Sequence, residues 1–128
     1  MPPASILIVE DELIIAMELQ DRMLHMGHTV LALAASGEEA IAKARALKPE
    51  LVLMDIRLPG VMDGIEAAQQ IRAHLQIPVV YVTAYVDDST LERLRATGFD
   101  LYIPKPIDAY QLQCTIEQAL RRHSPPQS

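Results

Sequence analysis

Short unbroken apolar runs alternate along the chain with stretches in which apolar residues recur every three or four positions. Ile6-Leu7-Ile8-Val9, Leu51-Val52-Leu53-Met54 and Val79-Val80-Tyr81-Val82 are continuous and mostly β-branched or Leu. Strands covered on both faces of a parallel sheet read this way. Residues 30–33 form a weaker strand pattern and Leu101-Tyr102-Ile103 a short one. The intervening segments carry helical stripes: Ile15, Leu19, Met23, Met26; then Ala40, Ile41, Ala44, Leu47; then Ile65, Ala68, Ile71, Leu75; then Leu91, Leu94; then Leu112, Ile116, Ala119, Leu120. Ser36-Gly37-Glu38-Glu39 fits a capping box, and Gly27 and Gly98 stand where a left-handed residue ends a helix. Pro49 and Pro78 fall between helix and strand, where no helical N–H is needed. The pattern predicts an α/β fold of five strand–helix units, (βα)5, with a parallel sheet, helices on both faces and right-handed crossovers. In such sheets ligands bind at the carboxyl ends of the strands.

Those ends carry the chemistry. The first strand runs into Glu10-Asp11-Glu12, the third into Asp55, the fourth into Thr83 and the fifth into Lys105-Pro106, whereas the second offers only Ala34-Ala35. Glu10, Asp11 and Asp55 are like charges converging on one place, an arrangement that either raises carboxyl pKa values or recruits a cation. All-oxygen ligands with room for water suit Mg²⁺ or Mn²⁺. Glu12 reads as an acid in a first helical turn, favourable to the helix dipole. Asp55 follows four apolar residues, and a carboxylate beside a divalent cation can attack a phosphoryl group to give an acyl phosphate. The competing reading of Asp55 is a strand-end turn former ahead of Leu58-Pro59-Gly60. Lys105 lies between two prolines, a rigid segment suited to aiming a lysine at an anion.

Composition narrows the classes. The 128 residues fit one domain with a core of its own, and net charge −6 disfavours direct nucleic-acid binding or adsorption to anionic lipid. The single Cys114 excludes a disulfide framework and is expected to pack inertly. No apolar run approaches the ~20 residues of a membrane span. The start, Met1-Pro2-Pro3-Ala4-Ser5, lacks a basic region and an apolar signal core, so the expected location is cytoplasmic, with no membrane insertion. Residues 1–123 are expected to form the domain, and residues 124–128 a polar, Pro-rich tail or the start of a linker.

Taken together, Ile8-Val9-Glu10-Asp11-Glu12, Met54-Asp55-Ile56-Arg57-Leu58-Pro59-Gly60, Asp63-Gly64, Val82-Thr83-Ala84 and Lys105-Pro106 resemble the receiver domain of two-component response regulators, over residues 5–123. The resemblance implies a flavodoxin-like fold with strand order 2-1-3-4-5. It implies that Asp55 is the phosphoacceptor, taking a phosphoryl group from a histidine kinase or histidine phosphotransfer protein. Such a domain assists its own phosphorylation and dephosphorylation without being an enzyme in the usual sense. Asp11 and Asp55 are then Mg²⁺ ligands with the backbone carbonyl of Arg57, and Glu10 acts directly or through water. Lys105 and Thr83 hold phosphoryl oxygens, and the Lys105–Pro106 bond is cis. Tyr102 matches the switch aromatic, which turns inward as Thr83 moves and repacks the face of the fourth helix, fifth strand and fifth helix. A homodimer through that face is the expected mode of self-association. Arg57 and Tyr85 flank the acceptor and are expected to shield it from water, giving slow loss of the phosphate.

Leu13, Ile14 and Met17 fall on the flank of the first helix beside the site, either as a landing patch for a kinase helix or as a wider core stripe; Pro106 and Ile107 extend the same patch. Tyr110, Cys114, Glu117 and Arg121 lie off the core stripe of the last helix, on a dimer or output face. His25, His28, His74 and His123 show no ligand spacing and read as surface or helix-end residues. A dehalogenase-like phosphatase needs a second Asp where Arg57 stands, and a nucleotide or flavin module needs a glycine-rich turn where Glu10-Asp11-Glu12 stands. A degenerate receiver, acting as a phosphorylation-independent interaction module, is the remaining alternative, although Asp55, Thr83 and Lys105 are all present.

Overall fold

β1 (Ser5–Val9), β2 (Thr29–Ala34), β3 (Leu51–Met54), β4 (Val79–Thr83) and β5 (Tyr102–Pro104) pair in parallel in the order β2-β1-β3-β4-β5. They alternate with α1 (Leu13–His25), α2 (Gly37–Leu47), α3 (Gly64–His74), α4 (Asp88–Ala96) and α5 (Ala109–Arg122). The structure, a computed structural model, describes residues 3–84, 86–97 and 101–122. Gly98, Tyr85, His123 and the 124–128 tail lie outside the described residues.

Alternation along the strands builds two cores. Leu7, Val9, Val52, Met54, Val79 and Tyr81 face α2, α3 and α4. Ile6, Ile8, Leu51, Leu53, Val80, Val82 and Ile103 face α1 and α5. Each central strand is therefore apolar on both sides, which is why its residues read as a continuous run. At ~25 cal/mol per Å² of apolar surface, each fully buried Leu or Ile contributes roughly 2 kcal/mol toward holding the sheet between its helices.

Several local expectations change. Ser36 Oγ accepts from the Glu39 N–H (3.1 Å), but Glu39 reaches past the cap to accept from the Ala35 N–H (2.7 Å). The complete capping box is at α3, where Asp63 Oδ1 accepts from Glu66 N–H (3.0 Å) and Glu66 Oε1 from Asp63 N–H (3.2 Å). Leu47 is exposed, because it is the last residue of α2 before the left-handed Lys48 turns the chain toward β3. Cys114 is exposed: two residues beyond the buried Leu112, it falls on the outer face of α5.

His28 is buried rather than on the surface, and its Nδ1 accepts from the Ala4 N–H (3.0 Å), joining the chain ahead of β1 to the entry of β2. Burial pushes the imidazole below its ordinary 6.5, against the pull of Glu117 and Glu50. Below that ordinary value the unfolded chain takes up the proton first, so stability present above it is lost as pH falls toward the folded-state value. Urea unfolding at about pH 7.5 and about pH 5.5 is expected to show this loss, and His28→Gln to remove the His-linked part of it. Equal pH slopes for wild type and variant refute the assignment.

Candidate functional site

Glu10, Asp55 and Lys105 each stand two residues beyond a side chain on the α1/α5 face, namely Ile8, Leu53 and Ile103. The pleat therefore carries all three toward the same side at the carboxyl end of the sheet. The backbone keeps them in register past the formal strand ends: Glu10 N–H donates to Ala34 O, Asp55 N–H to Val9 O and Lys105 N–H to Thr83 O, each at 2.9 Å.

Lys105 Nζ donates to Glu10 Oε1 (2.6 Å) and, more loosely, to Asp55 Oδ2 (3.3 Å). The Glu10 and Asp55 side chains are only 1% and 9% exposed, so this is a nearly buried triad with more carboxylates than cations. Burial and the neighbouring Asp55 push the Glu10 carboxyl above its ordinary range, with Lys105 pulling the other way. Burial works against the Lys105 ammonium, but Glu10 and Asp55 outweigh it and hold its pKa above the ordinary lysine value. Arg57 N–H donates to Asp55 Oδ1 (3.3 Å), fixing the carboxylate plane, while the Arg57 side chain is exposed.

Asp11 sits at the exposed mouth, and ligand oxygens of Glu10, Asp11 and Asp55 all lie within 4.8 Å of one another. Glu10 Oε2 is buried and has no hydrogen-bond partner among the described residues. An orphaned buried carboxylate oxygen beside two further carboxylates fits a hard divalent cation.

The remaining expected residues spread around this centre. Thr83 is buried at the end of β4, and its hydroxyl makes no hydrogen bond among the described residues. Tyr102, paired in register with Tyr81, is half exposed, and the Lys105–Pro106 peptide is cis. Leu13, Ile14 and Met17 are exposed, so they do not belong to a wider core stripe. Pro106 is exposed, whereas Ile107 packs partly against the α1/α5 core. On α5, Tyr110 and Arg121 are exposed and Glu117 half-buried.

Gly64 was not singled out from the sequence as a packing residue. Its N–H donates to Ile56 O (2.7 Å), and a Cβ at this position would overlap the Asp55 carbonyl oxygen and lie 2.8 Å from its carbon. The first residue of α3 is thus wedged against the backbone of Asp55. The Asp63-Gly64-Ile65-Glu66 spacing carries the signal, a capping pair with glycine as the first helical residue.

A family model described as the response regulator receiver domain matches residues 6–117. The transcriptional regulatory protein PdtaR of Mycobacterium tuberculosis is 37% identical over 120 residues, 94% of this chain and 58% of that protein. The response regulator protein VraR of Staphylococcus aureus is 41% identical over 96 residues, 74% of this chain and 46% of that protein. The chain thus spans about half the length of these relatives. Among solved structures, the signal receiver domain of a modulated diguanylate cyclase from Desulfovibrio desulfuricans superposes with TM-score 0.89 at 33% identity, covering 95% of this chain and 97% of that one. The receiver domain of Erythrobacter litoralis PhyR superposes with TM-score 0.82 at 33% identity, covering 100% of this chain and 98% of that one. With the strand order, the acidic mouth and the lysine in one frame, and the family match running through all of them, the chain belongs to the response regulator receiver-domain family of two-component systems.

Proposed function

We propose that this receiver takes a phosphoryl group onto Asp55 from a phosphohistidine on a histidine kinase or histidine phosphotransfer protein. The observation that carries the reading is the convergence of Asp55 with Glu10, Asp11 and Lys105 at one nearly buried point. An Asp55 carboxylate oxygen attacks phosphorus, the P–N bond to the donor histidine breaks, and its electron pair returns to the imidazole. The carboxylate is a nucleophile without loss of a proton, so the step needs orientation and charge compensation rather than a base. Arg57 N–H holds the carboxylate plane, and Lys105 is within reach of the oxygens that accumulate charge.

Glu10, Asp11, Asp55 and the Arg57 carbonyl are the residues that would hold Mg²⁺. When bound, the ion supplies neutralisation of phosphoryl charge. Thr83 and Tyr102 are the proposed switch pair, Thr83 being buried beside the site and Tyr102 still half outside. Leu13, Ile14 and Met17, together with Pro106, are the proposed landing surface for the phosphodonor, since they are exposed apolar residues that follow Asp11 and Lys105 closely in the chain. No described helix is long and apolar enough to cross a membrane.

Incubation with acetyl phosphate and Mg²⁺ is expected to add one base-labile phosphoryl group per chain, and Asp55→Asn to add none. Absence of label on wild type, or equal labelling of the variant, refutes the reading.

A further inference from the structure

α4 is held less by apolar packing than the other helices. Of its nine residues only Leu94 is buried, whereas α1 buries three side chains and α3 five residues. Two arginines provide further ties among the described residues. Arg72 Nη2 on α3 donates to the carbonyl of Thr97, the α4 C-cap (2.7 Å). Arg93 Nη1, from the middle of α4, lies 2.8 Å from Asp63 Oδ2 at the start of α3.

The second tie is more than an exposed ion pair. The Asp63 carboxylate also caps α3 through Glu66 N–H, so both its oxygens are engaged and its position is fixed. Although burial alone would raise Asp63, Arg93 and the Glu66 N–H hold it below the usual carboxylate range, ionised wherever the protein is folded near neutrality. Asp63 also leads directly into Gly64, which is wedged against the Asp55 backbone and bonded to Ile56 O. The backbone of Asp55 and Ile56, Gly64, Asp63 and Arg93 therefore form an unbroken run from the acceptor residue's main chain to α4.

We propose that the Asp63–Arg93 pair is a latch, holding α4 against the segment that follows Asp55 until phosphorylation of Asp55 shifts that segment. The proposal rests on the phosphoacceptor reading and adds to it the contact through which the acceptor side and α4 are coupled. Coupling is reciprocal: a contact that favours the unphosphorylated arrangement also opposes phosphorylation. Weakening the latch therefore loosens α4 and raises phosphoryl occupancy together, an outcome a merely structural tie does not produce.

The test compares wild type, Arg93→Ala and Arg93→Lys, none of which alters the Asp63 cap or the residues at the mouth. Amide hydrogen exchange over residues 88–97 is read with and without acetyl phosphate and Mg²⁺, alongside label on Asp55. Arg93→Ala is expected to speed α4 exchange about 3–5-fold in the unphosphorylated protein, to shrink the further increase on phosphorylation, and to raise steady-state label. Arg93→Lys restores most of both effects. Wild type that labels while Arg93→Ala leaves α4 exchange or label unchanged overturns the latch and leaves the phosphoacceptor reading standing. Wild type that carries no label on Asp55 overturns that reading, and the latch with it.

Discussion

Gly64→Ala is expected to destabilise the domain by about 3 kcal/mol or more, an unusually large effect for adding one methyl group. The reason is what the methyl meets. It would overlap the Asp55 carbonyl oxygen and stand 2.9 Å from Ile56 Cα, so the obstruction is backbone and not the end of a flexible side chain. Relief requires moving either the first turn of α3 or the end of β3, and the second option displaces Asp55 itself. Gly27 provides the contrast. Its φ of +90° disfavours any side chain, but nothing lies within 4 Å of a Cβ there. Gly27→Ala should therefore cost only about 1 kcal/mol, from backbone conformation alone. Urea denaturation of the two variants side by side checks the ranking. The account fails if Gly64→Ala unfolds at the same urea concentration as wild type, or is no less stable than Gly27→Ala.

Lys105→Met should separate two roles of one ammonium group. In metal-free buffer the variant leaves Glu10 and Asp55 nearly buried without their cation, which is expected to cost about 3 kcal/mol, as breaking a buried pair does when one partner stays behind. Added Mg²⁺ should recover much of that loss, because a cation that binds only the folded state stabilises it in proportion to occupancy. Wild type gains less, since Lys105 already compensates the same carboxylates. Phosphoryl transfer does not recover: with the ammonium donor to the phosphoryl oxygens gone and only Thr83 remaining, labelling from acetyl phosphate should slow about 10²-fold even at saturating Mg²⁺. Thermal denaturation with and without Mg²⁺, and label against time, read both roles. A variant that is as stable as wild type without metal, or that labels at the wild-type rate, sinks this account.

Much of the architecture was legible because parallel strands announce themselves. Residues 6–9, 51–54 and 79–82 are apolar without alternation, since helices cover both faces of β1, β3 and β4. The acids and the lysine were legible for a related reason: a charged residue directly after such a run has little choice but to sit at the strand end. What sequence spacing did not reveal depends on distances through space. Nothing in positions 63 and 93 links them, and their 2.8 Å contact exists because α3 and α4 pack on the same face of the sheet. His28 read as an exposed helix-end residue because a bond to Ala4 joins segments far apart in the chain. Cys114 is exposed, as its phase on α5 opposite Leu112 and Ile116 and its place off the core stripe imply; only the expectation that it packs fails. Gly64 had a visible signal in its Asp63-Gly64-Ile65-Glu66 context, but the close approach to Asp55 that gives the glycine its purpose appears only once β3 and α3 are joined.

The three-residue β5 brings Lys105 to the carboxylates from the edge of the sheet and near the far end of the chain. The neutrality of the pocket is thus a property of the shortest strand: a local opening of β5 that carries Lys105 away leaves the Glu10 and Asp55 carboxylates facing each other without their cation.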